Sequence, residues 1–131
     1  VKIIGIGIDI CRNERIKNLI NQYGEKFLSR VFHLKEIESC NKRHSSAIDM
    51  IANFYAKRFA AKEAFVKALG TGFNGDVKKN EIAILNDEKS GKPEIYLFGS
   101  TAKHINASIK SFVSISDEVE FSIANVLLVE C

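Results

Sequence analysis

No apolar run in this 131-residue chain approaches the roughly 18 residues of a membrane-crossing helix, so no membrane partner is expected. Cysteine is scarce. Cys11, Cys40 and Cys131 lie far apart, form no C-x-x-C pair and are odd in number. That excludes the usual secreted disulfide framework and favours a reducing cytoplasm. Excess charge is also slight: 19 Lys and Arg against 16 Asp and Glu leave +3. Such a balance does not by itself indicate nucleic acid, but it suits an acidic or phosphate-bearing partner. An aromatic platform with interleaved basic residues, the pattern that stacks single-stranded bases, is missing as well. The first ten residues include Asp9 and lack a basic stretch followed by a cleavage site, so no signal peptide is expected there. Repeats, low-complexity tracts and linkers are absent. Residues 1–131 therefore read as one domain of ordinary globular composition, 46% hydrophobic and 27% charged. A chain this short buries a modest core, which association with further copies would extend.

What is present has a clear order. Ile3 to Ile10 reads as a buried strand, with Ile4, Ile6, Ile8 and Ile10 on one face and Ile3, Gly5, Gly7 and Asp9 on the other. Two glycines just before the only acid allow close approach to the backbone. Ile16, Leu19, Ile20 and Tyr23 follow helical spacing, and Gly24 supplies a stop. A second helical stretch carries Phe27, Leu28, Val31 and Phe32. Polar residues from Ser39 to Ser46 predict a loop holding Lys42, Arg43 and His44. The longest helix is expected over Ala47 to Leu69, ending at Gly70-Thr71-Gly72. Glu81 to Asn86 and Glu94 to Phe98 read as strands joined by a turn at Ser90-Gly91-Lys92-Pro93. Ala102, Ile105 and Ile109 suggest a further helix. Phe112 to Ser116 and Ser122 to Glu130 form a final strand pair. Helices early and strands late predict an α+β fold with an antiparallel sheet.

The long helix carries Glu63 and Lys67 one turn apart. They form either a surface ion pair or part of a ligand-contacting face, the latter suggested by the small neighbours Ala60, Ala61 and Ala64. Asp9 is either a cap or turn residue or a functional acid. Together, Asp9 and Glu63 would suit magnesium, which takes one or two carboxylates and fills its remaining positions with phosphate oxygens and water. Spacing alone does not bring the two acids together.

Three segments resemble the signatures of the holo-acyl-carrier-protein synthases. They are Gly5-Ile6-Gly7-Ile8-Asp9-Ile10 with Arg15-Ile16, the run from Phe59 through Lys62-Glu63-Ala64 to Gly72, and Val113-Ser114-Ile115-Ser116 followed by the alternating strand to Glu130. Order, spacing and length match over nearly the whole chain. The resemblance implies a 4'-phosphopantetheinyl transferase-like fold, with the long helix central and packed on a small antiparallel sheet. It implies magnesium-dependent transfer of 4'-phosphopantetheine from coenzyme A to a serine of apo acyl carrier protein, releasing adenosine 3',5'-bisphosphate, in fatty acid biosynthesis. The metal ligands of the family fall on Asp9 and Glu63, and its lysine one turn later on Lys67, which stabilises the leaving phosphate. Gly91, Lys92 and Pro93 fall in the coenzyme A site, to which Gly70, Lys67, Arg58, Lys42 and Arg43 are added as candidates. Arg15, with Arg12, is assigned to docking the acidic carrier protein. The family is homotrimeric with sites between subunits.

One residue departs from the pattern: Asp117 stands where the family usually has histidine. His33, His44 and His104 match no family position. Asp117 is expected either to turn away from the phosphates and pair with a nearby Lys or Arg, which is the favoured reading, or to contribute indirectly through metal-bound water. A small phosphate- or RNA-binding module and a catalytically inactive relative are the competing readings. The first would not require Asp9 and Glu63, and the second is raised by Asp117.

Overall fold

Two glycines determine how the first strand meets the longest helix. In the computed structural model, which describes residues 1–44, 46–72 and 76–131, β1 (Lys2–Arg12) packs directly on α4 (Ile48–Leu69). A Cβ added to Gly5 would overlap the carbonyl oxygen of Ala68, and one on Gly7 would overlap that of Ala64. With glycine on the strand and alanine on the helix, the two backbones touch without intervening side chains. Ala60, Ala61, Ala64 and Phe65 of α4 are fully buried. Gly70, at φ 82, ends the helix in the left-handed conformation that glycine adopts without strain.

The other strands extend this contact. β5 (Phe121–Glu130) lies between β1 and β4 (Ile109–Asp117), antiparallel to both. Gly7, Val126 and Val113 stand in one cross-strand row, and Asp9, Ala124 and Ile115 in the next. Ala124, Val126 and Leu128 are buried in the core against which the helix packs. A separate hairpin joins β2 (Ile82–Asn86) to β3 (Pro93–Leu97). Around these lie α1 (Asn13–Tyr23), α2 (Glu25–Val31) and α3 (Leu34–Arg43). The expected α+β architecture, a long helix on a small antiparallel sheet, is the one observed.

Three expectations need correction. β1 is not buried on both sides. Ile6, Ile8 and Ile10 are 66%, 56% and 61% exposed, because only the glycine face has a layer packed on it. The stretch expected as a loop from Ser39 is helical through Arg43, and Ser45 lies outside the described residues. Its buried positions, Glu36 and Cys40, are four apart and share the inner face, while Lys42 and Arg43 face solvent. The helix expected from Ala102, Ile105 and Ile109 is a 3-10 turn over Gly99–His104, and Ile109 begins β4. Thr101 draws that turn inward, its hydroxyl accepting from the Lys78 amide (2.9 Å) and donating to Glu81 (2.9 Å). Asn106 then breaks the run by accepting from the Ser108 amide (2.9 Å).

Two buried polar clusters hold the layers in register. The Asn13 side chain donates to the carbonyls of Glu118 (2.9 Å) and Val119 (3.1 Å) and accepts from Ser122 (2.7 Å), tying the start of α1 to the β4–β5 hairpin. Glu36 and Lys62, both 0% exposed, form an ion pair at 2.5 Å. Glu36 also accepts from the amides of His33 (2.9 Å) and Ile84 (3.0 Å). Lys62 donates to the carbonyls of Ile82 and Lys79, the latter at 3.0 Å. Burial lowers the pKa of Lys62, and Glu36 opposes that shift. Among the described residues no helix is long and apolar enough to cross a membrane.

Removing one partner of a buried pair strands the other charge. Lys62→Met should cost ~3–5 kcal/mol of folding stability in urea titrations, and the added change Glu36→Gln should restore a large part of the loss.

Candidate active site

Asp9 follows the two glycines on the same face of β1, so it reaches α4 one step beyond the close contact. There its Oδ1 lies 3.1 Å from Nζ of Lys67, which also donates to the Ile8 carbonyl at 3.0 Å. Asp9 is largely covered at 18% side-chain exposure, whereas Lys67 is 57% exposed. The carboxylate is therefore the fixed partner and the ammonium the movable one. Glu63 does not pair with Lys67 along the helix. Its Oε1 lies 3.3 Å from Nζ of Lys79, in the 3-10 turn Lys79–Glu81 that precedes β2. The surface i, i+4 pair is thus replaced by two ion pairs that each join α4 to another element.

Both acids act on one buried thiol. Burial above all, then the charges of Asp9 and Glu63 working against Arg15, push Cys11 up to about 11. Asp9, Glu63 and Arg15 are therefore each within electrostatic reach of Cys11. Phe59, Glu63 and Lys67 follow at four-residue steps along one stripe of α4. The Phe59 ring carries the Arg15 guanidinium at 5.3 Å and the Lys79 ammonium at 5.0 Å. The result is two carboxylates bordered by three cations on a half-covered surface. Among the described residues no three His, Cys, Asp or Glu side chains gather as a metal cluster. Two carboxylates alone suit a hard cation that keeps water and takes phosphate oxygens, so the donor set fits magnesium.

The other candidates are placed unevenly. Arg58 was expected at the nucleotide phosphates, but it is buried and its nitrogens are committed inside the protein. It donates to the carbonyls of Ile84 (3.2 Å) and Phe54 (3.1 Å) and to Oδ1 of Asn86 (2.6 Å). Burial pulls its pKa down to about 10, so it is still charged at neutral pH. Asn86 in turn donates to the Gly91 carbonyl at 2.9 Å. Arg58 thus supports the Gly91-Lys92-Pro93 turn from beneath. Gly91 (φ 75) and Lys92 are exposed at that turn, and Pro93 begins β3 opposite Asn86. The Lys92 ammonium lies 5.9 Å from the Phe112 ring of β4. Lys42 and Arg43 are exposed in the last turn of α3, with Arg43 near enough to Arg58 to lower its pKa. Gly70 is exposed at the end of α4. Arg12 and Arg15 are exposed where β1 runs into α1, Arg12 lying over Phe121 at 5.0 Å.

Asp117 does turn aside, but not to a cation. Its Oδ2 accepts from the Asn53 side chain of α4 at 2.9 Å. An open groove of about 710 Å³ lies close by, lined in part by Arg12, Lys17, Asp49, Asn53 and Glu118 and crossed by the Lys17–Asp49 ion pair at 2.9 Å. Neither Asp9 nor Glu63 is among the described residues that line it, so the two acids and this groove are separate places on the surface. His33 caps α3 and stacks on Phe98 at 4.1 Å, and His44 meets the edge of Phe54 at 6.0 Å. Sequence reasoning missed Lys79. It lies in no helical or strand register with Glu63, and only the turn after α4 brings it back.

Comparison with known proteins bears on this geometry. Residues 5–124 match the 4'-phosphopantetheinyl transferase superfamily. The holo-[acyl-carrier-protein] synthase of Ehrlichia canis (strain Jake) is 46% identical over 126 residues, covering 96% of this chain and 94% of its own. Among solved structures, the synthase of Neisseria meningitidis superposes with a TM-score of 0.83 at 34% identity, over 98% of this chain and 99% of its own. The Bacillus anthracis synthase, in complex with CoA (3',5'-ADP), gives a TM-score of 0.81 at 33% identity over all of both chains.

Because Asp117 is exposed and, among the described residues, its side chain bonds to the neutral amide of Asn53, replacing it should disturb little. Asp117→His should hold the steady-state rate of phosphopantetheine transfer at or above wild type and tighten coenzyme A binding, with a stability cost below ~1.5 kcal/mol. A rate loss of tenfold or more that added magnesium does not restore would instead make Asp117 part of the machinery.

Proposed function

Because the chain belongs to the 4'-phosphopantetheinyl transferase superfamily, we propose that Asp9 and Glu63 jointly hold a magnesium ion and that Lys67 acts on the phosphate that departs. The reaction moves 4'-phosphopantetheine from coenzyme A to a serine of apo acyl carrier protein, giving holo acyl carrier protein and adenosine 3',5'-bisphosphate. The observation that carries the assignment is the close seating of β1 on α4, which sets Asp9 against Lys67 one turn beyond Glu63. Bound there, magnesium would neutralise pyrophosphate charge. Phosphoryl transfer asks mainly for positioning and charge stabilisation, and the residues supply both. Lys67, exposed and held by one carboxylate and one carbonyl, can swing to the leaving phosphate and offset its growing charge.

The remaining assignments follow from what is exposed. Lys42 and Arg43 face the solvent where a nucleotide phosphate can meet them, and the Gly91-Lys92-Pro93 turn offers a backbone edge and an ammonium. Gly70 adds a second edge without a side chain. Arg58 contributes to the coenzyme A site by holding that turn. Arg15, which acts on the same thiol as the two acids, and Arg12, on the neighbouring groove, face outward where an acidic carrier protein would dock. Residues 1–131 act as one transferase domain. Free thiols at Cys11, Cys40 and Cys131 support placement in a reducing cytoplasm, in the service of fatty acid biosynthesis. Ile6, Ile8 and Ile10, with Phe112 across the sheet, form an apolar outer face that supports assembly as a homotrimer.

Glu63→Gln should fold normally yet slow transfer by roughly 100-fold or more, the scale of removing one electrostatic stabiliser. The assay is the mass gain of one phosphopantetheine on apo carrier protein, and near-normal rates under magnesium would exclude the two-carboxylate site. For assembly, light scattering should report a trimer for the native chain and smaller species for Ile8→Glu. A native monomer with full activity would exclude the trimer.

A further inference from the structure

We infer that Phe59 and Phe121 are positioning residues for recognition of the carrier protein, their rings holding the docking arginines Arg15 and Arg12 in place with the hydrogen-bond donors of each left uncommitted. This rests on the reading of Arg12 and Arg15 as docking cations, and it adds two residues that reading does not include.

The two arginines are seated alike. The Arg15 guanidinium lies 5.3 Å from the centre of the Phe59 ring, and that of Arg12 lies 5.0 Å from the centre of the Phe121 ring. Both separations fall within the ~6 Å over which a ring face attracts a cation. Both arginines are exposed, and among the described residues neither side chain makes a hydrogen bond or an ion pair. Arg58 shows the contrast. It also lies over a ring, that of Phe54 at 3.5 Å, but its donors are committed to Ile84, Phe54 and Asn86 inside the protein. A ring face attracts the charge of a guanidinium and leaves its five N–H donors for a partner. That planar fork of donors suits the carboxylates of an acidic protein.

Both rings are placed by the fold and not by the arginines. Phe59 is 5% exposed on α4 and belongs to the core, and α1, which carries Arg15, is pinned there by the fully buried Ile16. Phe121 is the cross-strand partner of Arg12 in the β1–β5 pairing and is half-buried. Next to Arg12, Asn13 bonds to the carbonyls of Glu118 and Val119, so strand and hairpin tip are tied together at this point. A long side chain loses rotamer freedom when a partner takes hold of it, and that loss weakens association. An arginine already resting on a ring has given up part of that freedom beforehand. Binding is then tighter with no further contact to the partner. The effect belongs to carrier recognition, so it should appear in KM for the carrier and not in kcat or in KM for coenzyme A. Phe59 also lies beneath the Lys79 ammonium, which Glu63 holds as well. Among the described residues Phe121 seats Arg12 alone, so changes at Phe121 isolate the effect.

The test uses the full-length protein with apo acyl carrier protein and coenzyme A, and reads the steady-state mass gain of one phosphopantetheine on the carrier. Phe121→Leu and Phe59→Leu should each raise KM for the carrier roughly threefold, the scale of one exposed cation–ring contact. Native values are expected for kcat and for KM of coenzyme A. Phe121→Tyr, which keeps the ring, should keep the native carrier constant. Each leucine change should have no further effect once its own arginine is alanine. Phe121→Leu should thus be silent in an Arg12→Ala background but not in Arg15→Ala, and Phe59→Leu the reverse. General loss of structure would not respect that pairing. Because Phe59 is part of the core, the Phe121 series decides the outcome if Phe59→Leu does not fold. A native carrier constant in Phe121→Leu overturns the proposal, as does a rise of equal size in the Arg12→Ala background or one that Phe121→Tyr shares. If Arg12→Ala and Arg15→Ala themselves leave the carrier constant unchanged, the docking reading fails instead, and the two failures are distinguished.

Discussion

Direct backbone contact between β1 and α4 is the constraint on which the site depends. At Gly5 and Gly7 the strand lies so close to the carbonyls of Ala68 and Ala64 that no side chain fits between them. A larger residue at either glycine would lift the strand and carry Asp9 with it. Asp9 has no long arm to compensate, and its place relative to α4 is set by main-chain geometry. The price is conformational freedom in the unfolded strand, which glycine raises. The gain is that Asp9 is held against Lys67, one helical turn along α4 from Glu63.

Helical periodicity divides α4 into a structural and a chemical stripe. Lys62 and Glu63 are adjacent in sequence and point to different surroundings, since neighbouring residues on a helix diverge by about 100°. Lys62 points into the core and pairs with Glu36 beneath α3 and β2. Glu63 points to the half-covered surface with Phe59 and Lys67. The buried pair joins the helix to the segment that delivers Lys79. The core and the surface that carries Glu63 thus share the backbone of two consecutive residues, and disturbance of the interior pair would be felt at that surface.

Much of this was legible in the sequence, for reasons tied to particular residues. The glycine alternation before Asp9 announced close packing, and the alanines around Glu63 announced the surface that receives it. α4 itself was readable because its length and its glycine stop leave no rival interpretation. The β2–β3 hairpin was readable from the turn around Gly91. What stayed hidden involves contacts without a period. Lys79 reaches Glu63 only through a turn, Arg58 is drawn inward by Asn86, and Asn13 binds carbonyls more than a hundred residues away. Residues Ser39 to Arg43 look like a loop by composition, yet Glu36 and Cys40 commit them to a helix. The isoleucines of β1 misled in another way. An apolar alternating face normally means an intramolecular core, and here nothing in the described chain covers it.

That uncovered face exposes β1 to two separate kinds of selection. Positions 5, 7 and 9 are constrained by the helix packed against them within the same molecule, and drift there is limited by sterics and charge. Positions 6, 8 and 10 meet no such neighbour in the isolated chain, so any demand for isoleucine there would have to come from a surface brought from outside. A saturation map of this strand would alternate column by column. Intolerance at the odd positions would record folding, and intolerance at the even positions would record company.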